Sequence, residues 1–475
     1  MRQIKYIMNY KIIYTLLVIV GMNITINAGN PGSAVTAEKF KAIDLSNFDT
    51  NAKASDDFYE YVNGNWLKNN PIPATERSWG SFNELREKNI NNLHTILDET
   101  SLDKGAVQGS NKQKIRDFYS TGMDSVKRDA DGAAPLKELF MKVNAMKNTT
   151  DLINTIGYLH SIGVKSLFNF YVTQDEKKST EMICTFAQGG LGLPDRDYYV
   201  NTDEASVKIQ QEYVDNIMKM LILLGDQEDM ARKTAEGIFR LETAMAKASR
   251  KRVDMRDPEL NYNKKTVAEL KTLAPDFNWD SFFTSAGVSG IKDVIVGQPD
   301  FYKEVNELLK STSINDWKNY LRWDIINTFA SDLSDAFVKQ DFYFYETILS
   351  GTKEMKPLWK RCLEATDGSM GEALGQLYVE KYFSADSKKR VNIMVDNLIA
   401  AYKDRINKLD WMSPATKKKA IEKLNVVMKK LAYPDKWRDY STLDIKKDSY
   451  VQNVMRTHNF EFKRNINKLG KPVDR

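Results

Sequence analysis

Apolar residues recur at every third or fourth position through most of this 475-residue chain. Val391, Met394, Val395, Leu398, Tyr402, Ile406 and Leu409 hold that spacing without a break, as do Ile421, Leu424, Met428 and Leu431 after "SPATKKK". Such a period places the apolar groups on one face of a helix. A chain built this way folds mainly as packed helices. Ser413 caps the second of these helices, with Pro414 in its first turn. The last helix runs from Tyr450 to Leu469, and Gly470 followed by Pro472 is a helix-stop signal.

Two regions break or begin the pattern. "LFNFYVT" and "TEMICTFA", between 167 and 187, are rich in β-formers and flank the polar "QDEKKS", so a β-hairpin is predicted there. Helical spacing resumes near Ala205 and dominates to the end. Near the start, Ser55 to Asp57 supply capping groups for a short helix carrying Phe58, Tyr61 and Val62, which Asn63-Gly64 should stop. Pro71 and Pro73 enforce an extended link. A longer helix then presents Phe82, Leu85, Leu93, Ile96 and Leu97 as its apolar face. The length suits two or three domains or one large two-lobed body, with weakly marked boundaries.

Residues 1–28 read as a secretory signal: a basic opening, an apolar run from Ile12 to Met22, and a cleavage point after Ala28. An uncleaved anchor is the alternative, and no cysteine follows to carry a lipid. Residues 29–43 form a flexible lead-in. The signal's three lysine and arginine residues account for much of the net charge of +5, leaving 66 basic against 64 acidic residues. That balance gives no reason to expect nucleic acid or an anionic membrane as partner. The expected location is therefore outside the cytoplasm: extracellular, periplasmic or in the cell envelope. The two cysteines, Cys184 and Cys362, permit one disulfide, but buried free thiols are the favoured reading.

Catalytic motifs are scarce. His94, His160 and His458 are the only histidines; two fall on apolar helix faces and one borders such a face, which suits partly buried imidazoles better than metal ligands. There is no HExxH, no GxSxG and no CxxC. Gly189, Gly190 and Gly192 lack the lysine and helix of a phosphate loop, and Pro194 favours a rigid turn. Asp56-Asp57 reads as a helix cap, and Lys417–Lys419 with Lys429 and Lys430 as a solvated basic surface.

Several blocks, in order, carry a resemblance. "DDFYEYVNGNWLKNNPIPATERSWGSFNELREKN", "GLGLPDRDYY", "RDPELNYNKKT", "LWKRCLEATDGSMGEALGQLYVEKYF", "LDWMSPATKKKAIEKL" and "FEFKRNINKLGKPVDR" are similar to the neprilysin and endothelin-converting-enzyme family of zinc metallopeptidases, from about Asp44 to Arg475. The resemblance implies a mainly helical, chamber-forming lobe of a two-lobed peptidase that acts on peptides. In the family, the segment similar to "GKPVDR" leads into the catalytic part, which carries HExxH and ExxxD. The implied chain is therefore an N-terminal portion that binds no zinc and is inactive alone. Its alternative is a non-catalytic peptide-binding lobe, or one half of a split enzyme with a separately encoded catalytic half. By the same resemblance Arg86 matches an arginine that contacts substrate. Ser78 stands where neprilysin has its carboxylate-binding arginine, with Arg77 one step displaced, which argues against carboxypeptidase-like specificity. Cys362 matches a family half-cystine whose partner position is here Gly122.

Overall fold

The computed structural model describes residues 43–473. The signal reading at 1–28 and all but the last residue of the lead-in lie outside them. The chain divides into two compact units, the first ending at Pro71 and the second beginning at Ile72.

In the first unit, Asp57 caps the Phe58–Asn69 helix by accepting the Glu60 N–H at 2.9 Å. The expected stop at Asn63-Gly64 is not there, and the helix runs five residues further. Gly64 serves close approach instead: a Cβ at this position would fall 2.6 Å from Asp49 Cβ. The Asp49 N–H bonds the Tyr61 carbonyl at 2.9 Å, and its carboxylate takes the Lys68 ammonium.

The second unit is organised around a four-stranded sheet. Strand β1 (Phe168–Gln174) pairs antiparallel with β2 (Met182–Gln188), confirming the predicted hairpin. Two short strands that the helical reading of the later chain overlooked complete it: β3 (Lys264–Thr266) and β4 (Asp293–Val296), in the order β1-β2-β4-β3. β4 runs parallel to β2, and β3 antiparallel to β4. Ile183, Cys184, Thr185 and Phe186 are all buried, as befits a central strand covered on both faces.

Phe168 is fully buried on this sheet. Its ring lies 5.2–6.3 Å from those of Phe186, Phe277, Trp279, Phe282 and Tyr302. Strand residues and the Trp279–Ser285 helix thereby share one aromatic core. Helices build the rest. Glu204–Leu223 and Glu228–Ala248 pack together, and Leu358–Tyr382, kinked at Met370, packs on Ser81–Leu102 and Asn111–Met123. The last helix spans Tyr450–Ile466, and a turn carries the chain to Gly470 at φ +72°, matching the glycine stop.

One helical pair stands apart from the buried core. No residue of Ala385–Lys408 or Pro414–Asn425 is buried. The two helices pack against each other, leaving Met394, Leu398 and Tyr402 between 53% and 61% exposed. The apolar stripe of this pair is therefore half uncovered.

Replacing Phe168 with alanine should remove the centre of the aromatic cluster and cost about 3–5 kcal/mol, read as a lower urea midpoint. An unchanged midpoint would mean that the sheet does not organise this core.

Candidate functional site

The residues singled out by resemblance lie on a short extended segment and the helix after it. Pro73 fixes the entry, and the Glu76 N–H bonds the Pro73 carbonyl at 2.9 Å. The carbonyl of Ala74 accepts the N–H groups of Lys353 and Glu354, each at 3.1 Å. Arg77 reaches the same neighbourhood: its Nη2 lies 2.8 Å from Glu346 Oε2. Glu346 belongs to a π-helical stretch, Phe342–Ile348, whose wider turn is an irregularity often found near functional sites. Thr352 closes that stretch by donating to the Glu346 carbonyl at 2.9 Å and to its carboxylate at 3.2 Å.

Gly80 precedes the Ser81–Leu102 helix. On its second turn Arg86 donates from Nη2 to Glu76 Oε2 at 2.7 Å. The guanidinium side chain is 47% exposed, while that of Glu76 is only 10% exposed. Glu76 Oε1 is buried and has no hydrogen-bond partner. Phe82 and Leu85 are 89% and 52% exposed, and burial on this helix begins at Ile90. Ser78 is exposed. Three and four residues apart, Phe82, Leu85 and Arg86 share one open helix face.

The turn at Gly189–Tyr199 is as rigid as Pro194 suggests. The Tyr320 hydroxyl donates to the Gly190 carbonyl at 2.9 Å, and a Cβ at Gly192 would sit 1.9 Å from the Tyr213 hydroxyl. Beneath it lies Glu242, fully buried, accepting hydroxyl protons from Tyr199 at 2.6 Å and Tyr213 at 2.8 Å. Both hydroxyls are oriented, because each accepts an N–H: Tyr199 from Leu193, Tyr213 from the Trp323 indole. Burial pushes the Glu242 carboxyl up to about 7, against the pull of these hydrogen bonds. The arrangement is structural; nothing in it resembles a phosphate cradle.

The histidines are committed elsewhere. His160 Nε2 donates to the Ser166 carbonyl at 2.9 Å, and burial lowers its basicity to about 4. His458 Nδ1 donates to the Ile162 carbonyl at 3.1 Å, and burial lowers it too. His94 stacks on Trp359 with centroids 4.0 Å apart. Among the described residues, no group of three or more His, Cys, Asp or Glu side chains could hold a metal ion. These residues thus do not fit a zinc site. Cys184 and Cys362 are free and buried, and burial pushes their thiols up to about 12 and about 11. A Cβ at Gly122 would lie 3.0 Å from Cys362 Sγ, the place a bridging partner would occupy, with the Tyr450 ring beside it. The basic helix surface is partly paired: Lys419 with Glu422 and Lys429 with Asp396.

Comparison with known proteins agrees with this body of helices. Residues 54–434 match the N-terminal model of peptidase family M13. The chain belongs to peptidase family M13. As an M13 chain it is 28% identical over 459 residues to neprilysin-3 of Drosophila melanogaster, and 29% over 451 residues to endothelin-converting enzyme 1 of Rattus norvegicus. Each alignment covers 91% of this chain and 58% of the relative. The crystal structure of the Mycobacterium tuberculosis zinc metalloprotease ZMP1 in complex with an inhibitor superposes with a TM-score of 0.85 at 36% identity, covering 91% of this chain and 65% of that one. The chain therefore spans somewhat under two thirds of the length of these relatives.

Sequence reasoning missed the carboxylates that hold the two arginines. Glu76 stands ten residues before Arg86, outside any helical spacing, and Glu346 stands 269 residues after Arg77, so no local pattern links either pair.

Glu242 gives a signed pH prediction. Its folded value lies above the ordinary carboxylate value, so its contribution is full below about pH 4 and is lost as pH rises through about 7. The thermal midpoint of Glu242→Gln should accordingly depend less on pH between 5 and 8 than that of the parent. Equal slopes would contradict the burial argument. Both thiols should also resist a water-soluble disulfide reagent until the chain is unfolded; fast labelling of the native chain would show them accessible.

Proposed function

We propose that this chain is the N-terminal, chamber-forming part of an exported zinc metalloendopeptidase that acts on peptides. Membership of the M13 family carries the reading. The zinc chemistry of such an enzyme activates a bound water, and the ligands for it would come from sequence that the relatives carry beyond the matched part. The motifs at hand support this division, because the 475 residues hold three histidines and no HExxH. On this reading the isolated chain binds no zinc and does not cleave peptides. Residues 1–28 support export, and the near balance of charge in the remainder supports peptides rather than nucleic acid as the ligand. Arg86, half exposed beside Phe82 and Leu85, is the residue proposed to meet the peptide.

The uncovered helical pair supports a missing neighbour. Residues 385–430 carry twelve basic and five acidic side chains. Met394, Leu398, Tyr402, Trp411 and Val426 are all more than half exposed on this pair and the segments that flank its second helix. Such a surface suits an apolar partner with an acidic rim and disfavours a second copy of the same charge. The second reading, a non-catalytic peptide-binding lobe, is favoured by the continuous core of the second unit, which gives that body its own basis for stability.

Purified chain, assayed with an internally quenched peptide, should show no chelator-sensitive cleavage. Adding the zinc-bearing portion of a family member in trans should restore it. Cleavage by the chain alone that a chelator abolishes would overturn the division of labour. Leu398→Lys should leave thermal stability within about 0.5 kcal/mol, the range for substitutions at exposed positions, yet weaken complementation in trans.

A further inference from the structure

A cavity of about 200 Å³ opens between the Asn111–Met123 and Ser125–Asp131 helices, the Ala330–Asp332 turn and the start of the last helix. Its lining is separate from the segment around Arg77 and Arg86. The cations that line it are already engaged. Lys127 pairs with Asp131 at 2.8 Å, and Lys447 lies 3.6 Å from Asp117. Arg128, nine-tenths buried, donates to the carbonyls of Gly122 at 3.1 Å, Ser331 at 3.3 Å and Leu333 at 2.9 Å, and stands over the Tyr450 ring. Two lining carboxylates are engaged as well: Asp124 accepts the Lys127 N–H at 3.0 Å, and Asp448 accepts from Arg456 at 2.8 Å. Asp332 is the exception. No hydrogen bond or ion pair reaches its carboxylate among the described residues. The residue is only partly buried, and its oxygens are not sealed off from solvent.

We propose that this cavity is a binding site for a small primary amine, whose ammonium pairs with Asp332 while its apolar part lies against Pro135, Leu333 and Val451. A carboxylate drawn away from bulk water is costly until a cation with hydrogen-bond donors meets it, and an ammonium brings three donors. Charge points the same way, because the lining holds four carboxylates (Asp124, Asp131, Asp332, Asp448) against three cations (Lys127, Arg128, Lys447). The volume lies below the range of pockets for drug-sized ligands, so the amine is small. Burial pushes the Asp332 carboxyl up to about 6, against the attraction of Arg128 and of Arg361, whose Nε is given to the Lys356 carbonyl. Tyr450 and Cys362 also face it, and burial keeps both neutral. Asp341 is raised to about 7 by burial and by the charges of Asp332 and Glu346. Each of these two carboxyls gains negative charge as pH rises, so amine affinity should rise with pH through this range.

The test titrates the full chain with benzylamine, followed by ligand-observed NMR, with benzyl alcohol and benzoate as neutral and anionic matches. Benzylamine should bind at pH 7 with a dissociation constant on the order of 1 mM. At pH 5 it should bind about tenfold more weakly, the ratio of ionised fractions for a carboxyl near 6. Benzyl alcohol and benzoate should each bind about tenfold more weakly than benzylamine at pH 7. Asp332→Asn should lose about tenfold in benzylamine affinity and flatten the pH profile, whereas Asp332→Glu, which keeps the charge, should stay within about threefold of the parent. Circular dichroism checks that the variants fold. If the Asn variant does not, the parent's pH profile and the Glu variant decide. Equal affinity for benzyl alcohol, a flat pH profile in the parent or an Asn variant that binds like the parent would each overturn the proposal. So would the absence of binding at about 20 mM benzylamine.

Discussion

The second unit depends on the burial of aromatic rings against a small sheet. Phe168 brings strand β1, the Trp279–Ser285 helix and the helix bearing Tyr302 into one core, and Phe186 on the next strand doubles the connection. Four strands are few for a body of this size, yet they set its layout. The sheet orders segments separated by more than a hundred residues, because β2 pairs with β4. Edge-to-face rings within about 6 Å add to the area term and fix orientation, which aliphatic packing alone does less strictly. With that centre fixed, the helices need only bury one stripe each.

The same centre supports the outer site through a chain of hydrogen bonds. Tyr320 bonds the Leu167 N–H and the Gly190 carbonyl, linking strand β1 to the rigid turn. Tyr345 donates to Asn327 and lies 3.1 Å from the Gly192 carbonyl, linking the turn to the π-helical stretch. One residue later Glu346 meets Arg77. The segment ahead of Arg86 is thus held by contacts traceable to the core, as the peptide-facing role proposed for that side chain requires.

Helices and hairpin were legible in the sequence because their periods are long enough to count. β3 and β4, at three and four residues, are too short to show an alternation, and their strand character comes from pairing with β2 and with each other. Gly64 was misread because a glycine stops a helix or permits close packing with the same letter, and only Asp49 distinguishes the two. The stripes at Phe82–Leu85 and Met394–Tyr402 are apolar by sequence but open in the structure. Periodicity reports that a face is to be covered, not by what. Arg86 was found through resemblance, whereas its partner Glu76 needed coordinates.

The open stripes and the basic helical pair support the proposed picture, in which this chain shapes the space and a further portion supplies the chemistry. The most direct test is the intact native mass and zinc content of the product in the organism that makes it. The account predicts a zinc-bearing species well above 54.5 kDa. A stable, monodisperse and zinc-free product of about that mass would contradict it.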